Sequence, residues 1–139
     1  MSATVFDRFE MPPCARLLGW TLLDHDAERG WAKLSFEGRP EFANPAGLIQ
    51  GGLLAAMLDD AMGPAVLLMT EGRLYSSTID MHVSFLAPAR PGRLIAEAQV
   101  LQLGKTVAFT EAKLMDERGT TLALARASQR LVPVERLPA

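Results

Sequence analysis

Strand-like segments lie on both sides of one long apolar stretch in this chain. The segment WTLLDHDAERGWAKLSFEG contains two of them around the turn residues 28–30, which predicts a β-hairpin. Between residues 51 and 69, apolar residues fall on every face of a helical projection, as in a helix that other structure surrounds. We expect this helix to begin near Gln50. It should kink or end at Pro64, whose ring removes a backbone hydrogen bond and clashes with the carbonyl of Asp60.

After the helix, the hydrophobic period changes to two. The segment LYSSTIDMHVSFLAPA is predicted to be a half-buried strand with an apolar face, formed by Ile79, Met81, Val83 and Phe85, and a polar face, formed by Thr78, Asp80, His82 and Ser84. Three further strands follow, separated by Gly104 and the turn DERGT. A hairpin, one helix and four strands in a meander predict an α+β fold with an antiparallel sheet wrapped around the helix. We expect a single domain over residues 1–139.

Composition and charge narrow the class of protein. Of the 139 residues, 49% are hydrophobic and 22% are charged, which predicts a packed core. The net charge of -2 comes from dispersed residues, so no basic patch favours nucleic-acid binding. Cys14 is the only cysteine and the N-terminus lacks the pattern of a secretory signal, which favours a cytoplasmic location. Asp59 and Asp60 at the centre of the apolar stretch argue against a membrane span.

Several familiar motifs are incomplete. Gly104-Lys105-Thr106 resembles the end of a phosphate-binding loop, but Gln99 stands where that loop requires glycine. The chain has no G-x-S-x-G nucleophile elbow. His25 and His82 lie far apart on predicted strands and lack the spacing of metal ligands. We therefore expect neither a metal nor a cofactor.

The stretch NPAGLIQGGLLAAMLDDAMGPAV carries the candidate chemistry. An ionised carboxylate in apolar surroundings is costly, and adjacent helical residues project about 100° apart, so we expect Asp59 and Asp60 to face different environments. Both could equally reach solvent or cap a neighbouring backbone group. At the helix start, the Gly51 N–H has no intrahelical partner and lies at the positive end of the dipole, where an oxyanion could bind. Tight packing of the loop explains Gly51 as well.

Taken together, Asn44, Gln50-Gly51-Gly52 and Asp59 resemble the signature of hotdog-fold acyl-CoA thioesterases related to phenylacetyl-CoA thioesterase. STIDMHVSFLAPARPG is similar to the central strand and turn of that family, and GKTVAFTEAKLMDERGTTLALARA is similar to its closing strands. The resemblance covers residues 15–132. It implies a hotdog fold, in which an antiparallel sheet surrounds one central helix, and the hydrolysis of acyl-CoA.

The resemblance also implies a role for each matching residue. The Gly51 N–H would polarise the thioester carbonyl, and Asp59 would be the nucleophile or the base that activates water. Asn44 would position the water or the acyl group, and Thr78 stands where the family often has Ser or Thr near the attacking water. Gln50 replaces the usual His and cannot titrate, so Asp59 must carry the proton transfer. Strand alternation places Ser77, not Thr78, on the apolar side, so either a bulge corrects this or Ser77 is the participant.

The spacing of the two proposed catalytic groups has a consequence for assembly. Gly51 and Asp59 are eight residues apart on one helix, which separates them by roughly 12 Å at about 1.5 Å per residue. A single thioester cannot touch both within one chain. We therefore predict an obligate homodimer, with a homotetramer as the larger assembly, in which one subunit supplies Gly51 and the other supplies Asp59.

Candidate substrate contacts follow from position along the chain. Leu53, Leu54, Met57 and Leu58 could line an acyl tunnel, although core packing explains them equally well. Arg90, Arg93 and Lys105 are candidates to meet the phosphates of coenzyme A. Aryl, short-chain and medium-chain acyl groups all remain open.

Two other functions compete with hydrolysis. An enoyl-CoA hydratase on the same fold needs a His paired with a carboxylate, and His82 is the candidate. A non-catalytic acyl-CoA-binding protein is the second, but a pure binder has no need of Asp59 at the catalytic position.

Overall fold

A computed structural model describes residues 2–138. The longer elements are α1 (Pro13–Leu18), β1 (Thr21–Asp26), β2 (Trp31–Gly38), α2 (Gly51–Met69), β3 (Leu74–Phe85), β4 (Gly92–Leu103), β5 (Val107–Met115) and β6 (Thr121–Pro133). Short 3-10 helices lie at Val5–Arg8, Pro40–Phe42 and Val134–Arg136. The β1–β2 hairpin and the start of α2 after Gln50 confirm the predictions for these elements.

The strands form one six-stranded sheet in the order β1-β2-β4-β5-β6-β3, and each neighbouring pair is antiparallel. Helix α2 packs against β2, β3, β4, β5 and β6. The fold is therefore α+β with the sheet around one central helix, as the sequence predicted. The six strands lie between Thr21 and Pro133, and Met1 and Ala139 lie outside the described residues.

The predicted four-strand meander is wrong in one respect. Strands β4, β5 and β6 follow one another, but β3 pairs with β6 at the far edge and β4 pairs with β2. Residues 86–91 must therefore cross three strand spacings of about 4.8 Å, which six extended residues can span. Pro88 and Pro91 lie in this connection and lack the N–H groups that a tight hairpin would use, so the two flanking strands separate.

Helix α2 is long and apolar enough to cross a bilayer, but the sheet surrounds it here. Its buried side chains include Met57, Leu58 and Met62, which are 0% exposed and belong to the same core as Phe36 and Leu114 of the sheet. The fully buried positions of α2 are mostly on one stripe that faces the sheet, at 54, 57, 58, 61, 62, 65 and 66, whereas apolar residues on its other faces, such as Ala55, Ala56 and Leu67, are half-buried.

Helix α2 continues through Pro64 to Met69, so the prediction that it could end there is wrong. A proline at position 64 has no N–H to donate to the carbonyl of Asp60, which is four residues earlier. The indole N–H of Trp20 donates to that carbonyl instead, at 3.0 Å. A side chain from outside the helix thus satisfies the group that the proline leaves free, which is how α2 accommodates Pro64 in its interior.

A bulge in β3 changes which residues face α2. The pairing with β6 shifts between Thr78 and Asp80, so Ile79 has no partner and is 60% exposed. Before the bulge, Thr78 lies opposite the buried Gln129 and faces inward. After the bulge, Met81 and Val83 pack against the core. The predicted apolar face is therefore wrong for Ile79, because the bulge moves the inward positions from even to odd numbers.

Candidate active site

The side chains of Asp59 and Thr78 meet between α2 and β3. The Thr78 hydroxyl donates a hydrogen bond of 2.6 Å to Oδ1 of Asp59. This contact depends on the bulge, because regular alternation would have turned Thr78 away from the helix. Of the two alternatives that the sequence left open, the bulge is the one present. Ser77 lines the same cavity, but the hydrogen bond belongs to Thr78.

A cavity of about 980 Å³ opens beside this pair. Helix α2 lines it with Asp59, Asp60, Gly63 and three apolar residues, and β3 lines it with residues 75–78. The N-terminal segment supplies apolar side chains, among them Phe6, Phe9, Met11, Leu18 and Trp20. The cavity has the size and the largely apolar walls of a small-molecule site. A carboxylate beside a hydroxyl at its wall can activate water or attack a carbonyl.

Asp60 lines the same cavity as Asp59, so the two carboxylates are not turned toward separate sites. The cavity is wide enough to contact two helix positions about 100° apart. Their surroundings still differ: within residues 2–138, Oδ2 of Asp60 is buried and has no hydrogen-bond partner. Burial, and then the neighbouring charge of Asp59, raise the pKa of Asp60 to about 7.

Gly51 is the first residue of α2, and its N–H therefore has no acceptor within the helix. A Cβ at Gly51 would lie 3.3 Å from the Phe85 ring, so a larger residue would crowd the helix start. Gln50 is the N-cap residue, and its exposed side chain makes no capping hydrogen bond. The backbone of Gln50 is fixed instead, because its N–H donates to the carbonyl of Phe42 at 2.9 Å.

Asn44 shapes the loop that leads into α2. Its Oδ1 accepts hydrogen bonds from the N–H groups of Ala46 (2.9 Å) and Leu48 (3.2 Å). Ala43 and Ile49 pair in an isolated antiparallel bridge, which closes this loop. The side-chain oxygen of Asn44 is thus already used by backbone groups, and the observed contacts assign it to holding the loop that presents Gln50 and Gly51.

Of the predicted substrate-contact residues, Ser77 lines the cavity, and the others do not. Met57 and Leu58 are 0% exposed in the core and do not line it, because α2 turns these positions toward the sheet. Arg90 and Lys105 are exposed and lie before and after β4. The twelve residues of β4 lie between them and span roughly 40 Å at about 3.3 Å per residue, so they cannot meet one phosphate group within one chain.

His82 lies away from the site. It borders a groove on the other side of the sheet with Trp31, Glu111 and Arg126, whereas Asp59 lies on the helix side. Among the described residues, His, Cys, Asp and Glu side chains form no group of three that could hold a metal ion.

Sequence reasoning missed Gln129 and Ser76, which line the cavity and are 1% and 7% exposed. A signal for Gln129 was present in the sequence: inward positions of β6 are otherwise Ala or Leu, at 123, 125, 127 and 131. A single amide in such a period-two row points to a polar contact inside the protein.

Known proteins resemble this chain in sequence and in fold. Residues 46–123 match the family model of the thioesterase superfamily. Human acyl-coenzyme A thioesterase 13 is 33% identical over 93 residues, which is 66% of this chain and 66% of that protein. The medium/long-chain acyl-CoA thioesterase YigI of Escherichia coli K12 is 28% identical over 131 residues, covering 84% of this chain and 83% of that protein.

Solved structures share the architecture. A phenylacetic acid degradation-related protein from Ralstonia eutropha JMP134 superposes with a TM-score of 0.85 at 31% identity, covering 91% of this chain and 95% of that chain. The E. coli PaaI protein gives a TM-score of 0.75 at 24% identity over 84% of this chain and 86% of its own, which supports the fold. The chain therefore belongs to the thioesterase superfamily, a family of enzymes that hydrolyse thioesters, and has the hotdog fold.

Proposed function

We propose that this protein hydrolyses acyl-CoA thioesters to the free acid and coenzyme A. The observation that carries the proposal is the hydrogen-bonded pair of Asp59 and Thr78 at the wall of a largely apolar cavity. The names of its relatives support acyl-CoA as the substrate class, since both the human and the E. coli protein are acyl-CoA thioesterases.

Asp59 is the group that acts on the thioester. Thr78 occupies Oδ1 of the carboxylate and holds it in place, which leaves Oδ2 for chemistry. As a base, Asp59 takes a proton from water while the water oxygen bonds to the carbonyl carbon. As a nucleophile, it forms an anhydride that water then hydrolyses. In both routes the carbon–sulfur bond breaks and the thiolate of coenzyme A leaves and takes up a proton.

The carbonyl oxygen needs a donor as negative charge develops on it. The Gly51 N–H at the start of α2 has the right chemistry, but it lies roughly 12 Å along the helix from Asp59 of the same chain. We therefore propose a homodimer in which each site combines Gly51 of one subunit with Asp59 of the other, and which can pair further into a tetramer. The long edge strand β3, with Tyr75, Ile79 and Phe85 exposed, is a surface that a second copy would cover.

The two competing functions have less support. A hydratase would need His82 near the helix carboxylates, and His82 borders a groove on the opposite side of the sheet. A binding protein would not need the Asp59 carboxylate held by a hydroxyl at the wall of its cavity. Arg90 and Lys105 stay separate candidates for the phosphates of coenzyme A, because their separation excludes a joint site in one subunit.

The test is a panel of aryl, short-chain and medium-chain acyl-CoA thioesters, assayed by release of free thiol. Wild-type protein should hydrolyse at least one of them, and Asp59→Asn should lower kcat by roughly two to four orders of magnitude. Gel filtration of the variant controls for assembly. Equal activity in the variant would remove Asp59 from the mechanism. Binding without hydrolysis across the panel would favour the acyl-CoA-binding protein, and hydration of crotonyl-CoA would favour the hydratase.

A single turnover in heavy-oxygen water tests for the nucleophile route. Label in the Asp59 carboxylate, with a protein oxygen in the acid product, identifies an anhydride that water opens at the Asp59 carbonyl. Label in the product alone fits base catalysis and also an anhydride that water opens at the acyl carbonyl.

A further inference from the structure

Residues 4–12, here called the strap, form the wall of the cavity that separates it from solvent on one side. Six of them line the cavity: Phe6, Asp7, Phe9, Glu10, Met11 and Pro12. No residue of the strap is buried, and the apolar side chains of Phe9 and Met11 are 39% and 41% exposed. The strap is therefore a thin wall between the cavity and solvent and lies outside the core.

One contact, here called the clasp, holds the strap to the turn that follows α2. Nη2 of Arg8 donates a hydrogen bond of 2.6 Å to the carbonyl of Glu71. Beside it, Gly72 has a φ of +81°, and a Cβ there would lie 2.5 Å from Nη2 of Arg8 and 2.7 Å from Cγ2 of Val5. Gly72 therefore leaves the space into which Arg8 and Val5 fit.

Few other interactions hold the strap. Among the described residues, the bond from Arg8 to Glu71 is the only hydrogen bond that joins the strap to the chain beyond α1, and the charged side chains of the strap form no ion pair. Phe6 adds an edge-to-face contact with Trp20, with ring centroids 5.1 Å apart. Segments without buried residues and with few hydrogen bonds open at a small cost in free energy. The strap can therefore open while α2 and the sheet stay folded.

The cavity beneath the strap has the length of a medium-chain acyl group. On α2 it is bordered by Asp59, Gly63 and Leu67, which lie on one face at intervals of four residues. From Asp59 to Leu67 the helix advances roughly 12 Å at about 1.5 Å per residue. A ten-carbon chain with bonds of about 1.5 Å also extends roughly 12 Å. An acyl chain that begins at Asp59 and follows α2 would pass under the strap.

We propose that the strap is a lid for medium-chain acyl groups, which opens at the clasp to admit the chain and release the acid, and closes over the chain during hydrolysis. This role rests on the proposed acyl-CoA hydrolysis and names the substrate class within it. Closure places Phe9 and Met11 against the chain, because both side chains line the cavity and still have surface to bury. Each such contact removes apolar surface from water and stabilises the closed lid.

The first test measures opening of the lid through chymotrypsin cleavage after Phe6 and Phe9, followed by mass spectrometry. S-decyl-coenzyme A, a thioether that cannot be hydrolysed, should slow this cleavage by about 10-fold at saturation, because the decyl chain holds the lid closed. S-ethyl-coenzyme A, whose chain is too short to reach the strap, should leave the rate within about 2-fold. Equal protection by the two compounds would overturn the lid. Unchanged cleavage at a concentration of S-decyl-coenzyme A that saturates the protein by calorimetry would overturn it too.

Gly72→Ala tests the clasp. The added Cβ would displace Arg8 and Val5, so cleavage without ligand should rise by about 10-fold over wild type. Gly119→Ala is the matched control, because Gly119 has a similar φ of +87° and a Cβ there meets nothing within 4 Å. Both variants carry the strain of alanine at a positive φ, but only Gly72→Ala disturbs the strap. Equal cleavage of the two variants would overturn the clasp. If Gly72→Ala folds poorly, Arg8→Met should raise cleavage by about 3- to 10-fold through loss of the hydrogen bond.

A double variant, Phe9→Ala with Met11→Ala, tests the contact with the acyl chain. It should lower kcat/KM for decanoyl-CoA relative to butanoyl-CoA by about 10-fold, because only the longer chain reaches the strap. Leu17→Ala is the matched control. Leu17 is also apolar and 53% exposed, but it does not line the cavity, so the ratio should not change. An unchanged ratio in the double variant would overturn the contact between the lid and the chain.

Failure of the lid and failure of the proposed function give different results. Hydrolysis of decanoyl-CoA without protection of the strap by S-decyl-coenzyme A would reject the lid and leave the thioesterase intact. Absence of hydrolysis with every thioester, together with no binding of S-decyl-coenzyme A, would reject the proposed function and the lid with it.

Discussion

The Thr78 hydroxyl donates a 2.6 Å hydrogen bond to Oδ1 of Asp59, and so joins β3 to the middle of α2. The contact exists because β3 bulges directly after Thr78. It uses one carboxylate oxygen and leaves the other for the substrate. Without this contact, the Asp59 side chain could adopt several rotamers on the helix. The hydrogen bond from Thr78 therefore fixes the direction of the carboxylate.

Thr78→Val should lower kcat of thioester hydrolysis by about 10- to 100-fold with a smaller change in KM, because it removes the hydrogen bond to Asp59 and keeps the side-chain shape. Thr78→Ser keeps a hydroxyl and should recover most of the loss. Steady-state kinetics of the two variants measure the effect. Ser77→Ala is the neighbouring comparison, and a larger loss there than in Thr78→Val would transfer the role to Ser77.

Gly51→Ala should lower kcat/KM by about 10-fold, since the added methyl crowds the Phe85 ring at the start of α2 and displaces the N–H proposed to bind the oxyanion. Gly52→Ala is the matched control, because a Cβ there meets nothing within 4 Å. That change should instead raise the free energy of unfolding by about 0.5–1 kcal/mol, as alanine does in a helix. If the two variants lose equal activity, close approach at Gly51 is not required.

Trp20→Phe should lower the free energy of unfolding by roughly 1–3 kcal/mol, because it leaves the Asp60 carbonyl without a donor. Pro64→Ala supplies a new backbone N–H to that carbonyl. In the Pro64→Ala background, Trp20→Phe should therefore cost less. A double-mutant cycle by urea denaturation measures this coupling, and additive effects would show that the indole hydrogen bond does not compensate for the proline.

Much of this fold was predictable from hydrophobic periodicity. The hairpin and the buried helix follow from local patterns, since each element has to bury its own apolar residues. The position of β3 in the sheet was not predictable in this way. Sequence order suggests that β3 pairs with β4, whereas in the sheet it pairs with β6. The continuation of α2 past Pro64 depends on Trp20, which lies forty-four residues earlier in the chain, and no local pattern reveals such a partner.

The candidate site, like the fold, was only partly predictable from the sequence. The resemblance to the thioesterase family implied roles for Asp59, Gly51 and Thr78, and the structure brings Asp59 and Thr78 into contact. Met57 and Leu58 were chosen by chemical type alone, and the rotation of α2 turns them into the core. Gln129 was missed because its cavity is formed by segments that are distant along the chain.

Asp60→Asn should stabilise the protein, and the gain should depend on pH. The pKa of Asp60 is raised from 3.8 to about 7, so the folded state binds its proton more tightly than the unfolded state does. The wild type therefore loses stability as the pH rises from about 4 to about 7, whereas asparagine cannot ionise. We expect a gain on the order of 2 kcal/mol above pH 7, allowing for solvent screening, that shrinks toward pH 4.

Thermal or urea unfolding of both proteins across this pH range measures the difference. Glu117→Gln controls for the removal of one negative charge, because Glu117 is exposed in the turn before β6. A gain for Asp60→Asn that is the same at pH 4 and pH 8 would show that ionisation of Asp60 is not its source.

Two inactive variants should restore activity to each other if each site uses both subunits. Gly51→Pro removes the N–H at the first helical position, where proline is tolerated, and Asp59→Asn removes the carboxylate. In a mixed dimer, one site has neither change and the other has both. Random reassociation after mild denaturation makes about half of the dimers mixed, so about a quarter of wild-type activity should return.

A double variant with both changes, mixed with wild type, distinguishes this arrangement from a site within one chain. Mixed dimers of that pair have one defect in each shared site and should be inactive, so activity falls to that of the remaining wild-type dimers. If each chain contained a complete site, the wild-type subunit would stay active in mixed dimers and the two single variants would not rescue each other. That result would remove Gly51 of the partner from the mechanism and require another donor to the thioester oxygen.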